Sequence, residues 1–185
     1  RHRRGDALVA ETYRRFPYYA TRSEIANRVL AGDAKALSQI DLARPMAQRG
    51  LSTIGYEGLT LECYLNRLLQ AGVTILCDVR RNPLSRKYGF SKRTLAKGCE
   101  GVGIRYEHLP ELGIASEERR SLETQADYDA LFERYETFVL PEQTPAIATI
   151  QAWIRSGESV ALTCYEHLPA RCHRHCVAEA VERTM

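Results

Sequence analysis

From Leu51 onward the sequence alternates short apolar, β-branched segments with segments of helical periodicity. Strands are predicted at residues 51–55, 73–79, 104–109 and 159–164, and each is followed by at least one amphipathic segment. This alternation is typical of β-α-β units, in which helices cover both faces of a parallel sheet. We therefore predict an α/β fold for residues 51–185.

The two most apolar strands, 73–79 and 159–164, are predicted to be neighbours at the centre of the sheet. Capping residues or the end of a turn mark where the helices begin. These predicted beginnings are Thr60, Ser91, Thr124, Thr144 and Cys172.

Residues 1–50 are predicted to form a helical N-terminal extension that ends in a linker. Thr21 and Glu24 have the spacing of a capping box, Asp33 can cap a second short helix, and Pro45 to Gly50 has the composition of a linker. Two helices around a glycine turn resemble half of a DNA-binding helix-turn-helix. Any αα-hairpin gives the same pattern, so a helical arm packed on the main domain is the preferred interpretation.

Charge is spread unevenly along a chain whose net charge is only +3. Residues 79–105 hold 8 basic side chains and 1 acidic one, whereas residues 106–158 hold 4 basic and 11 acidic. A basic segment of this kind favours phosphate-bearing partners, either a small molecule or nucleic acid. The alternative is a solvated loop that pairs with the acidic helices.

Nothing in the sequence predicts a membrane or secreted protein. There is no apolar run long enough to span a bilayer, and no apolar signal segment follows the basic start. We expect a cytoplasmic protein without a membrane partner, whose six cysteines are reduced thiols.

Ligands of parallel sheets bind outside the carboxyl ends of the strands. Four groups of residues follow the predicted strands and should converge at one edge: Gly55–Gly58, Asp78–Arg81, Pro110–Gly113 and Cys164–Glu166. Asp78 lies in an apolar run, where a carboxylate needs a partner, and Arg80 should point to the same face. This pair either serves acid-base and anion-binding roles or is a structural ion pair at a strand end.

The segment from Cys164 to Cys176 gives the strongest local indication of a functional site. It runs from a strand end into a predicted helix whose free N–H groups, with Arg171, His173 and Arg174, could bind an anion. Six residues separate Cys164 from Arg171 in a loop without glycine, so the Cys-x5-Arg phosphate cradle is excluded.

Zinc is an alternative interpretation of the same segment. Its ligands would be Cys164, Cys172 and Cys176, with His173 or His175. The spacing fits no usual zinc knuckle, so an anion pocket or plain core thiols are preferred.

Five short motifs occur in order: Thr53–Gly58, Asp78–Pro83, Ser85–Lys92, His108–Gly113 and Cys164-x-Glu-x5-Cys-His-Arg174. Together they closely resemble the family called domain of unknown function 488, over about residues 51–183. The resemblance implies a Rossmann-like sheet and no particular activity. The positions it carries over are Tyr56, Asp78, Arg80, Pro83, Arg86, Glu111, Cys164, Glu166, Cys172, His173 and Arg174. Cys176 and His175 lie outside the motif, which weakens the zinc interpretation.

These observations predict a polar, anion-binding pocket for a phosphate-bearing small molecule or a nucleic-acid end. If the protein is an enzyme, a hydrolase or transferase is expected, without metal or cofactor. The catalytic candidates are Asp78, Cys164 and Glu166, with Cys164 either lining the pocket or acting as nucleophile. The binding candidates are Tyr56, Arg80, Arg81, Arg86, Glu111, Cys172, His173 and Arg174. The alternatives are a non-catalytic nucleic-acid-binding module that uses residues 79–97, and a cysteine-based redox or zinc protein.

Overall fold

A parallel four-stranded sheet organises the protein, and the predicted α/β fold is confirmed. The computed structural model describes residues 4–43, 49–119 and 122–185. The strands are β1 Gly50–Gly55, β2 Ile75–Asp78, β3 Arg105–His108 and β4 Ser159–Cys164, in the spatial order β1-β4-β2-β3. The two central strands, β2 and β4, are adjacent as predicted, with Asp78 opposite Thr163.

Helices cover this sheet on both faces in a Rossmann-like arrangement. In chain order they are α1 Asp6–Arg15, α2 Ala26–Val29, α3 Ala34–Leu42, α4 Leu61–Gln70, α5 Lys92–Gly101, α6 Gln125–Arg134, α7 Thr144–Arg155 and α8 Arg174–Arg183. Tyr135–Val139 extends α6 by a π-helical turn. Short 3-10 turns lie at Pro17–Ala20, Pro110–Leu112, Ser116–Arg119, Leu140–Gln143 and Pro169–Arg171. No helix among the described residues is both long and apolar enough to cross a bilayer.

Successive side chains of the two central strands point to opposite faces of the sheet, which divides the hydrophobic core into two halves. Leu76 and Ala161 pack with buried residues of α4 and α5, whereas Ile75, Val160 and Leu162 pack with buried residues of α6, α7 and α8. Both faces of β2 and β4 are therefore buried, which explains their nearly continuous apolar sequences.

The N-terminal helices form a small apolar cluster of their own that includes Leu30 and Ile40. They contact the sheet domain through Tyr19, whose hydroxyl donates to the carbonyl of Glu62. Arg22 adds a bond from its guanidinium to the carbonyl of Gly103 at 3.0 Å. The domain boundary at residue 50 stays a prediction, and most of the predicted linker, residues 45–48, lies outside the described residues.

Most predicted helix caps are confirmed. The hydroxyl of Thr60 accepts from the N–H of Cys63, the carboxylate of Asp33 accepts from Ala36, and Thr124 forms a full capping box with Asp127.

Two predicted helix beginnings and one predicted cap are wrong. Thr21 instead ends a 3-10 turn, and its hydroxyl donates to the carbonyl of Tyr18. Thr144 is the first residue of α7 as predicted, but Gln143 and not Thr144 occupies the capping position. Cys172 has extended backbone geometry, with φ −140° and ψ 127°, so α8 begins two residues later at Arg174.

Candidate functional site

A cleft of about 620 Å³ opens at the carboxyl ends of the strands, which is where parallel sheets bind their ligands. The loops after all four strands contribute to it, although Pro110–Gly113 does not line it directly. The lining residues are Tyr56, Arg80, Arg81, Asn82, Leu84, Ser85, Arg86, Lys87, Ile114, Ser116, Arg119, Cys164, Tyr165, Glu166 and His173.

Two glycines let the loops around the cleft meet backbone to backbone. A Cβ on Gly55 would lie 1.8 Å from the carbonyl oxygen of Glu166. A Cβ on Gly113 would lie 2.0 Å from the backbone nitrogen of Arg81. Only glycine permits either approach, so Gly113 contacts the backbone of Arg81 without itself lining the cleft.

Asp78 and Arg80 form a buried ion pair. The guanidinium donates from Nε to Asp78 Oδ1 at 2.8 Å and from Nη2 to Oδ2 at 2.5 Å. Oδ2 also accepts from the Tyr106 hydroxyl at 2.6 Å, and Asp78 has no exposed surface. Both carboxylate oxygens are thus occupied by the protein itself, as in the structural alternative considered for this pair.

The contacts of Arg80 fix its side chain in place. Its Nη1 donates to the Tyr56 hydroxyl at 2.7 Å and to the carbonyl of Phe90 at 2.9 Å. Tyr56 in turn stacks on the Phe90 ring with centroids 4.3 Å apart. A charged residue after a strand end is expected to face solvent, but Arg80 is only 6% exposed, so that expectation is wrong.

The charge of Asp78 perturbs its neighbours. Burial lowers the pKa of Arg80, but the hydrogen bonds and negative charge of Asp78 outweigh it and raise that pKa overall. Burial and then the Asp78 charge also raise the pKa of Tyr106, which keeps its hydroxyl protonated as a donor. Tyr106 was missed in the sequence, although its place in β3 opposite Leu76 puts it next to Asp78.

Cys164 and Asp78 lie on opposite faces of the sheet. Asp78 is opposite Thr163, whose hydroxyl accepts from Tyr64 of α4 at 2.6 Å. The next residue, Cys164, therefore points to the α8 side. The adjacency of the two central strands predicts that the side chains of Asp78 and Cys164 meet across one crevice. The strands are neighbours, but this predicted meeting is wrong.

Cys164 forms the floor of the cleft together with Glu166. The Cys164 thiol donates to Glu166 Oε2 at 3.4 Å, and Glu166 forms an ion pair with Arg119. Arg119 comes from the 3-10 turn after β3 and was missed because that segment has no strand or motif signal.

The two thiols at the floor have opposite electrostatics. A hydrogen bond from Cys172, helped by the positive charge of Arg119, lowers the pKa of Cys164 to about 7 against the effect of burial. Burial raises the pKa of Cys172 to about 12.

Cys164, Cys172 and His173 converge beneath the cleft. Their two sulfurs and a ring nitrogen of His173 lie within 4.8 Å of one another. His173 Nε2 contacts the carbonyl oxygen of Val79 at 3.0 Å. Cys176, which the sequence grouped with these ligands, instead belongs to the apolar core on the α8 side of the sheet.

Three further predicted residues do not line the cleft. Arg174 is buried and donates to the carbonyls of Glu166 and His167, while Arg171 lies over the ring of Tyr128. Arg171, His173 and Arg174 therefore do not surround one site at the start of α8. Glu111 lies in the 3-10 turn after β3 and does not line the cleft.

One wall of the cleft carries the positive charge that is open to a ligand. Arg81, Arg86 and Lys87 line it, and their side chains form no ion pair with any residue of the described ranges. Arg80 and Arg119 also line the cleft, but Asp78 and Glu166 neutralise them. The cleft therefore has unbalanced positive charge on the loop after β2.

Comparison with known proteins gives one match. No curated protein and no solved structure matches the chain. A family model matches residues 60–181, which include α4, β2, the loop after β2, both Cys164 and Cys172, and most of α8. That match covers well over half of the sequence and agrees with the resemblance carried by the motifs. The chain belongs to the family described as "Domain of unknown function DUF488".

Proposed function

We propose that the cleft is the active site of an enzyme that binds a phosphate-bearing small molecule or nucleic-acid end. The observation that carries this proposal is a set of three cations on one wall of the cleft, Arg81, Arg86 and Lys87, that form no ion pair within the described part of the chain. Cys164 and Glu166 lie on the floor below them. Arginine and lysine are the side chains that bind phosphate oxygens most strongly in proteins. A cleft of about 620 Å³ has the size of a small-molecule site.

The floor supplies the groups for proton transfer. Glu166 Oε2 accepts from the Cys164 thiol at 3.4 Å, so a proton can pass between these two groups. Arg119 holds the Glu166 carboxylate from the other side. Glu166 is therefore the best-placed acid-base candidate, whereas Asp78 acts through Arg80 as a positioning residue for the cleft wall.

A second candidate, nucleic-acid binding, is favoured by the exposed lip of the cleft. Tyr88 is 89% exposed beside Arg86 and Lys87, where its ring can stack with a base while the cations hold the backbone. Nucleic-acid binding through this lip depends steeply on salt and does not require Glu166.

Calorimetric titration tests the phosphate site. The probes are a nucleoside monophosphate, a 5′-phosphorylated oligonucleotide and the same oligonucleotide with a 5′-hydroxyl. We expect both phosphorylated probes to bind, and Arg86→Ala to weaken them at least tenfold, since a charged hydrogen bond contributes about 1.5–3 kcal/mol. Arg93→Ala is the matched control, because Arg93 is an exposed cation of the same segment that does not line the cleft.

Three results separate the candidates. Equal losses from both arginine variants would mean that only net charge matters, which contradicts a specific phosphate site. Equal affinity for the 5′-phosphate and 5′-hydroxyl oligonucleotides, abolished by salt and by Tyr88→Ala, would favour the nucleic-acid-binding module. Absence of binding by every probe would contradict both candidates.

A further inference from the structure

We infer that Cys164, Cys172 and His173 bind a zinc ion whose remaining coordination position faces the cleft. The inference does not rest on the phosphate site, because none of these ligands belongs to the basic wall. Spacing along the sequence disfavoured a metal, because the three cysteines of the segment fit no usual zinc knuckle. The fold brings two of them, Cys164 at the end of β4 and Cys172, together with His173 and leaves out Cys176.

The distances suit a metal. The three donor atoms lie within 4.8 Å of one another, and the three residues are each no more than 2% exposed. Tetrahedral zinc with Zn–S bonds of about 2.3 Å holds two sulfurs about 3.8 Å apart. Side-chain movements of less than about 1 Å therefore convert this cluster into a coordination shell.

The surroundings of His173 supply an independent observation. The carbonyl of Val79 can only accept, so the contact with Nε2 at 3.0 Å places the ring hydrogen on that nitrogen. In the neutral ring, Nδ1 then carries the lone pair that can bind a metal. Histidines that bind metals usually donate their second ring nitrogen to a carbonyl or carboxylate in this way. The Tyr135 ring packs edge-on against His173, with centroids 5.9 Å apart, and fixes its orientation.

The ligand set indicates both the metal and the type of site. Two thiolates with one imidazole select zinc over the hard cations, and three protein ligands leave a fourth position. Cys164 and His173 line the cleft, so that position is open to a ligand in it. Glu166, beside Cys164, offers an oxygen there or a base for a bound water.

Charge balances in this site. Binding displaces one proton from each thiol, so Zn²⁺ and two thiols give a neutral zinc dithiolate and two protons. A neutral centre is compatible with nearly complete burial, whereas unpaired thiolates are not. The proposed site therefore explains why two cysteines and a histidine converge beneath a polar cleft.

Metal analysis of the whole protein tests this inference. The protein is treated with a chelator, reloaded with zinc chloride, desalted and analysed for zinc per chain. We expect about one zinc per chain for the natural sequence, and a small fraction of that for Cys172→Ser and His173→Gln. Cys176→Ser is the matched control, because this buried cysteine of α8 lies outside the cluster and should leave the zinc content unchanged.

Cobalt loading gives a test that needs no variant. Co²⁺ bound to the natural protein should show thiolate charge-transfer absorption in the near ultraviolet and the strong visible bands of tetrahedral geometry. Natural protein that takes up no stoichiometric zinc, or a cobalt spectrum without thiolate bands, would overturn the inference. Equal zinc loss in the folded Cys176→Ser and Cys172→Ser variants would also overturn it. Arg86→Ala should keep its zinc, so failure of the phosphate site and failure of the metal site are distinguishable.

Discussion

The guanidinium of Arg80 forms a two-point ion pair with the carboxylate of Asp78, the last residue of β2, with Nε 2.8 Å from Oδ1 and Nη2 2.5 Å from Oδ2. Both side chains are buried, and the remaining donors of Arg80 reach Tyr56 and Phe90. This pair ties the end of β2 to the turn after β1 and to the end of the basic loop. The shape of the cleft therefore depends on one ion pair that no ligand needs to contact.

Replacement of Arg80 by alanine should reduce the free energy of unfolding by about 3–5 kcal/mol, because it leaves the Asp78 carboxylate buried without its partner. Urea denaturation measures this change. Arg81→Ala, an exposed neighbour, should change stability by less than about 0.5 kcal/mol. Similar values for the two variants would show that Arg80 does not hold the fold together.

Gly55→Ala should destabilise the protein by at least about 1–3 kcal/mol, the usual cost of overpacking. The added Cβ would lie 1.8 Å from the Glu166 carbonyl, so the loop after β4 must move. Thermal unfolding measures the effect. The control is Gly101→Ala at the end of α5, where a Cβ meets nothing within 4 Å and alanine should be neutral or slightly stabilising. A neutral Gly55→Ala would contradict the close packing of these two loops.

Arg174→Ala should loosen the floor of the cleft. Its guanidinium donates to the carbonyls of Glu166 and His167, and charged hydrogen bonds of this type contribute about 1.5–3 kcal/mol each. Hydrogen exchange should show faster exchange in residues 165–168 than in the natural protein. Arg171→Ala, which removes an exposed cation over Tyr128, should leave that exchange unchanged. Protection that persists in Arg174→Ala would refute this role.

The capping box of α6 should make part of the stability depend on pH. Hydrogen bonds from Thr124 and Glu123 lower the pKa of Asp127 below its value in the unfolded chain. The carboxylate therefore stabilises the fold fully above its unfolded pKa, roughly pH 4, and this contribution is lost as the pH falls through the lower folded pKa. The melting temperatures of the natural protein and Asp127→Asn should differ at neutral pH and converge in acid. A constant difference would contradict this assignment.

The sequence was sufficient to predict the fold and the strand ends, beside which the structure has a cleft. Alternation of apolar patterns predicted the parallel sheet, and the apolar character of residues 73–79 and 159–164 placed both strands at its centre. These properties depend on local periodicity and burial, which a single sequence records directly.

Register and side-chain direction could not be predicted. A shift of one residue in pairing moves a side chain to the other face, and the register that places Asp78 opposite Thr163 separates it from Cys164. The extended backbone at Cys172 could not be predicted from the neighbouring residues either. Cys172 and Cys176 are four residues apart, a spacing that fits one face of a helix equally well. The convergence of Cys172 with Cys164 and His173 is therefore a tertiary property.

The position of β4 between β1 and β2 has a consequence for synthesis of the protein. Residues 50–55 and 75–78 leave the ribosome before residues 159–164, yet β1 and β2 do not pair with each other, because both bond to β4. A nascent chain that has not yet reached residue 159 therefore leaves β1 without its strand partner and one edge of β2 open. The sheet can close only after residues 159–164 have been synthesised, so the floor of the cleft assembles after the pairing of β2 with β3.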